Sequence, residues 1–147
     1  MLVGGLCAVA LATPAAAKPL QIVGLSKSEM SILDRGTVRQ SGEYLEAWMF
    51  QVFEKDIQNA AYVRQKLTVD CVGQRFRFEE VEAFADDGRR VNAGKYANPT
   101  WEPAKTGTGG EEWVRAICGA PEGIQMPLDF IARTFVPTAR KQMKGAD

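Results

Sequence analysis

Cys71 and Cys118 lie 47 positions apart in a chain that contains no histidine. Redox motifs and zinc sites bring cysteines about two to four positions apart and recruit further ligands, so this pair reads as a structural bridge. The missing histidine removes the commonest general base and the commonest metal ligand together. Carboxylates are available at Glu79, Glu80, Glu82, Asp86 and Asp87, as a pair of acids for glycosidase-like chemistry would require. Neighbouring residues of a strand point to opposite faces, however, so Glu79 and Glu80 are expected at a solvated or bulged strand edge and not in one site. The loop Thr106-Gly-Thr-Gly-Gly110 runs towards a helix and could cradle an anion on its backbone amides. It lacks the Lys-Ser/Thr of a phosphate-binding loop and reads as a structural loop. These residues assemble no catalytic constellation, metal site or cofactor site, and the chain is expected not to be an enzyme.

Binding chemistry has better candidates. Tyr44, Trp48 and Phe50 share one parity of a strand, as core residues do and as an exposed partner platform would. Arg75, Arg77, Arg89 and Arg90 flank a hairpin that also carries five acids, which makes a mixed solvated surface. Tyr44, Trp48, Phe50, Arg75 and Arg77 are the candidate binding residues. Eighteen basic residues balance eighteen acidic ones, so no long-range field favours nucleic acid or an acidic membrane.

These side chains must be positioned by strands. In Tyr62–Cys71, the residues Val63, Leu67, Val69 and Cys71 alternate with Arg64, Lys66, Thr68 and Asp70, a period of two that marks a strand with one buried face; Gln65 is the exception. Glu43–Phe53 is rich in aromatic and β-branched residues and apolar on both faces, so it belongs at the centre of a sheet or under a second covering element. Turn residues at Asp34-Arg-Gly36 and Ser41-Gly42 predict two short strands, Met30–Leu33 and Thr37–Arg39. In Gln74–Ala85 the apolar parity changes sides after Phe76 and Phe78, which predicts a β-bulge near Glu79-Glu80. Asp86-Asp87-Gly88 is a hairpin turn. Glu111–Cys118 reads as a short helix ended by Gly119, with Trp113, Ile117, Val114 and Cys118 forming an apolar stripe towards the sheet.

The two ends read differently. Residues 1–17 are an apolar run closing on Pro14-Ala-Ala-Ala17, a signal-peptide pattern without the usual basic start, cleaved near Ala17. It is shorter than the roughly 18 to 20 apolar residues of a membrane span. A lipid anchor on Cys7 is the competing reading, although Leu6 is bulkier than lipid processing favours. Cleavage leaves about 130 residues, one domain's worth. It also leaves two cysteines, which an oxidising periplasmic or extracellular compartment can pair completely. Closing that loop would stabilise the fold by roughly 4 kcal/mol. Residues 121–147 form an amphipathic tail, with Leu128, Ile131 and Phe135 at helical spacing before Pro137, read as a separate appendage with a frayed basic end.

Ser31-Ile32 and Asp34, Gly36-Thr-Val38, the strand carrying Trp48, Asp70-Cys71, Arg75-Phe-Arg-Phe78, the Asp87-Gly88 turn, Trp101 and Pro103, and a helix ending at Cys118 follow one another in this order. In this series the chain resembles the surface-adhesin protein E family over about residues 20–120. The resemblance implies an α+β, mainly β fold in residues 18–120: an antiparallel sheet of about six strands, with a short helix packed on it and tied through Cys71 and Cys118. It further implies an exported binding module that contacts a protein or cell-envelope component and assembles as a homodimer, while the balanced charge and the lack of a nucleic-acid motif predict no nucleic acid partner. A periplasmic carrier of a small apolar ligand is the alternative, and a small carboxylate-dependent hydrolase a weaker one.

Overall fold

The computed structural model describes residues 20–120, 125–126 and 136–144. The proposed signal segment, Cys7, and the Leu128, Ile131 and Phe135 pattern lie outside the described residues. An antiparallel sheet runs in the order β6-β5-β4-β3-β2-β1-β8. Its six longer strands are β1 (Leu20–Leu25), β2 (Glu29–Ser41), β3 (Tyr44–Ile57), β4 (Ala60–Asp70), β5 (Arg75–Phe84) and β6 (Arg90–Lys95). Two-residue strands β7 (Glu102–Pro103) and β8 (Gln125–Met126) add to β5 and β1, and the helices are α1 (Gly109–Cys118) and α2 (Val136–Lys144).

β3 sits between β2 and β4, as its two apolar faces require. Ala47 and Met49 point to one face, into a core shared with Leu33, Leu67, Val69 and Phe76 beneath Trp113, Val114 and Ile117 of α1. Phe50 and Val52 point to the other, into a core shared with Leu20, Met30, Ile32 and Tyr62 beneath Val136, Ala139 and Met143 of α2. Each helix covers part of one face of the sheet. Val63 and Gln65 share the α1 face with Leu67 and Val69 but lie beyond the reach of α1, and stay half-buried. Gln65 therefore interrupts the apolar alternation at no cost.

Where two short strands were expected before Gly42, the structure has one. β2 continues through Asp34–Gly36 with a register shift between Asp34 and Arg39. The turn residues serve that irregularity: Asp34 Oδ1 accepts from Gly36 N at 3.2 Å, and Thr37 Oγ1 donates to Asp34 O at 2.7 Å while accepting from Trp48 N at 2.9 Å. Side chains thus take over ladder bonds that the bulge interrupts. The bulge expected in β5 is present: Lys66 pairs with Glu80 and Leu67 with Phe78, leaving Glu79 as the extra residue.

α1 ends at Gly119, whose φ of −90° is open to any residue. Glycine is needed for space: a Cβ there would stand 2.7 Å from Arg115 O, to which Gly119 N donates. The Arg35 guanidinium closes the same terminus by donating to Ala116 O and Gly119 O. The Cys71–Cys118 disulfide, with Cα atoms 5.8 Å apart, ties the last turn of α1 to the end of β4.

The tail is not a separate appendage in its described part. Pro137 stands in the first turn of α2, where its missing N–H costs nothing, and so begins a helix where a stop was expected. Val136, Ala139 and Met143 are buried against the sheet. Arg140 clasps the nearby loops, reaching Asp86 Oδ1 at 2.8 Å, Asp56 and the Glu54 carbonyl. No described helix is long and apolar enough to cross a membrane.

Candidate functional site

Among the described residues, α2 covers only half of its face. Cross-strand rows show where coverage stops: Met30–Val52–Tyr62–Phe84 and Ile32–Phe50–Arg64–Glu82 run under or beside the helix, whereas Trp48–Lys66–Glu80 and Glu46–Thr68–Arg77 lie past it. Of the residues singled out in the sequence, Tyr44, Trp48, Arg75 and Arg77 lie on this open half. Phe50 does not join them. It has the same parity, but it is 6% exposed and packs in the core with α2.

The open half is organised by aromatic rings and guanidinium groups. The centre of the Arg64 guanidinium stacks 4.2 Å from the Trp48 ring centroid and 5.8 Å from that of Phe50, at the border between covered and open rows. Trp101, on the segment between β6 and β7, returns over β5. The Arg75 and Arg77 guanidinium centres each lie 4.8 Å from its ring centroid, and the Tyr44 ring lies 5.0 Å away on a third side. Arg75 and Arg77 face one way because they are two apart on β5; Trp101 joins them through tertiary folding.

Each arginine is oriented through its Nε. Asp70 Oδ2 accepts from Arg75 Nε at 2.9 Å while Oδ1 accepts from Gly73 N at 2.8 Å. The Gly73 N–H, followed by Arg75, holds the Asp70 carboxyl below its ordinary value. Glycine at 73 leaves room for this arrangement, since a Cβ would stand 2.4 Å from Asp70 Oδ2. Arg77 Nε donates to Glu79 Oε1 at 2.7 Å, and Thr68 Oγ1 donates to the same oxygen at 2.6 Å. Among the described residues, the terminal amino groups of Arg75 and Arg77 have no hydrogen-bond partner.

Beside this cluster a shallow cleft of about 310 Å³ runs past Tyr44, Glu46, Lys66, Glu80 and Tyr96. It adjoins a second of about 360 Å³ flanked by Trp48, sharing Glu46, Lys66 and Glu80. Lys66 Nζ lies 3.3 Å from Glu46 and 3.8 Å from Glu80, and Arg39 reaches Glu46 at 2.6 Å. The Arg39 hydrogen bond chiefly, with Lys66 assisting against partial burial, lowers the Glu46 carboxyl below its ordinary value near 4.5. Glu79 and Glu80, expected on opposite faces, both line this cleft because the bulge at Glu79 turns consecutive side chains the same way. Each faces a cation, so the two acids are neutralised locally instead of being left to work as a pair.

Trp101, Lys66 and Tyr96 were missed as site residues. Lys66 was visible in the polar parity of β4, opposite the buried set. Trp101 and Tyr96 stand where no periodicity operates.

The sequence model of the family described as surface-adhesin protein E matches residues 20–119, a span that ends before α2. Crystal form II of Haemophilus influenzae protein E is similar with a TM-score of 0.52 and 12% identity, over 76% of this chain and 96% of that one. A second structure of Haemophilus influenzae protein E gives a TM-score of 0.50 and 10% identity, over 75% and 90%. At such identities the likeness is one of fold. No curated protein matches the chain in sequence.

Proposed function

Because the chain belongs to the surface-adhesin protein E family, we propose that it is an exported, non-catalytic binding module that contacts a protein or cell-envelope component through the open half of the α2 face. The supporting observation is the composition and rigidity of that half-face. Tyr44, Trp48 and Trp101 stand among Arg64, Arg75 and Arg77, and tryptophan, tyrosine and arginine are the residues that dominate protein-binding hot spots. Arg64 is held by its stacking on Trp48 and Arg75 and Arg77 by their anchored Nε groups, so little side-chain freedom remains to be lost on binding. The acids of the surface are engaged with Arg39, Lys66, Arg77 and Arg90, which suits a contact surface better than acid–base chemistry. Export through the 1–17 segment, to the periplasm or beyond it, belongs to the same reading.

The test is binding of the folded, oxidised chain to an array of immobilised envelope and extracellular-matrix proteins. Saturable binding to at least one protein is expected. Tyr44→Ala and Trp48→Ala should weaken it by about tenfold or more, and Gln65→Ala on the opposite face should leave it unchanged. No saturable binding across the array, or binding indifferent to both aromatic substitutions, would overturn the reading.

A further inference from the structure

We infer that Arg75, Arg77 and Trp101 form a subsite for an extended acidic peptide, one that presents carboxylates at alternate residues. The inference rests on the binding reading above and names the chemistry of its partner. Three features carry it: free donors, their spacing and their rigidity.

An arginine has five N–H donors in a planar fork, which matches a carboxylate bidentately. In Arg75 and Arg77 the Nε donor is already engaged, by Asp70 and Glu79 respectively. The centre of each guanidinium lies over the Trp101 ring, 4.8 Å from its centroid. The terminal amino groups remain, with no acceptor among the described residues, on side chains that are 43% and 32% exposed. Two forks are therefore fixed in orientation with their outer edges presented to solvent. Reaching an anion would require little reordering of either side chain.

The spacing selects the ligand. Positions 75 and 77 are alternate residues of one strand, so their Cα atoms are about 6.7 Å apart along it. An extended peptide repeats its own side chains at the same interval. Acidic residues at i and i+2 on such a peptide would meet the two forks together, while the intervening residue points away. Consecutive acids would not, since their carboxylates leave the backbone on opposite sides. Tyr44 and Trp101 offer apolar ring surface next to the forks. Lys95, on the rim of the adjoining cleft, has no ion-pair partner among the described residues and adds positive charge there. The carboxylates of Asp70 and Glu79 balance the two arginines in net charge, so recognition depends on directed hydrogen bonds more than on bulk attraction.

Fluorescence anisotropy of a labelled peptide of about ten residues, alternating glutamate and threonine, tests this on the oxidised full chain. Saturable binding is expected, weakened about tenfold or more when the glutamates stand instead at every third position, so that no two fall at i and i+2. Arg75→Gln and Arg77→Gln should each cause a loss of similar size. Arg77→Lys should fail to restore binding, because an ammonium cannot form the fork. Circular dichroism of each variant separates loss of the subsite from loss of the fold, and two independent positions keep the test decisive if one variant unfolds. No preference for the alternating peptide overturns the inference. Tighter binding of a sulfated polysaccharide with the same arginine dependence also overturns it, by making the site a sulfate receptor. If the peptide fails while an array protein still binds and is lost in Trp48→Ala, the subsite is wrong and the binding surface stands. If the peptide binds through both arginines while array binding ignores Tyr44 and Trp48, the wider reading fails alone.

Discussion

α1 is fastened to its face of the sheet by a covalent bond at Cys71–Cys118 and by Arg35 across its last carbonyls. α2 is held on the opposite face by the packing of Val136, Ala139 and Met143 and by the clasp of Arg140 on Asp56 and Asp86. The difference shows how a single sheet can be closed on one side and presented on the other. A tethered helix keeps its place whatever its footprint. An untethered one stays only where apolar rows meet it, and the rows of the α2 face turn from Val52 and Tyr62 to Trp48 and Lys66 within four residues of β3 and β4. The limit of α2 is therefore set by side-chain pattern, and the open half begins where that pattern ends.

Removing the tether should have the largest effect. Cys71→Ala with Cys118→Ala is expected to lower stability by roughly 4 kcal/mol, the loop-closure value for the enclosed span, read as a fall in the urea midpoint. Truncation under the second helix comes next: Met143→Ala should cost about 2 to 3 kcal/mol, with faster hydrogen exchange along β3 beneath α2 and little change in α1. If Met143→Ala loosened both helices equally, the contrast between them would be lost.

A smaller effect is expected at the clasp. Arg140→Gln should cost about 1 to 2 kcal/mol, since its guanidinium is largely covered while Asp56 and Asp86 remain wet, and added salt should reduce the difference from the parent chain. The smallest effect is one of pH. Partnership with Arg39 and Lys66 lowers the folded-state pKa of Glu46, so its contribution is present above the unfolded value. That contribution fades as pH falls from about 4.5 through the lower folded value. Glu46→Gln should lower stability by a constant amount at neutral and alkaline pH and converge on the parent chain at acid pH, flattening the acid limb in denaturation curves measured across pH.

Much of this organisation was legible in the residues. Alternation marked β4, the doubly apolar centre marked β3 as interior, and the parity change between Phe78 and Val81 located the bulge of β5. These signals are local and periodic, so one sequence suffices to read them. What escaped was less local. Asp34-Arg-Gly36 has the side chains of a turn, but a bulge satisfies them equally well, and only pairing with β3 decides between the two. Pro137 can end one helix or begin the next, and the burial of Val136 and Ala139 settles which. β1 went unread because Leu20–Leu25 is short and directly follows the leader-like run. At the site, parity grouped Tyr44 with Trp48 and charge beside a hairpin marked Arg75 and Arg77, while strand pairing brings the two sets to one half-face. The same parity wrongly grouped Phe50 with them, because a helix from the far end of the chain covers it. Trp101 carries part of the family resemblance, but nothing local in the sequence marks it as a site residue, since its place over β5 depends on the path of a loop.

Hydrogen exchange of the oxidised chain, free and saturated with a protein bound in the array, tests the central claim most directly. The account predicts protection on binding along 44–48, 64–68 and 75–80 and around Trp101, with α1 unchanged. Protection confined to α1, with none along 44–48 or 75–80, would contradict it.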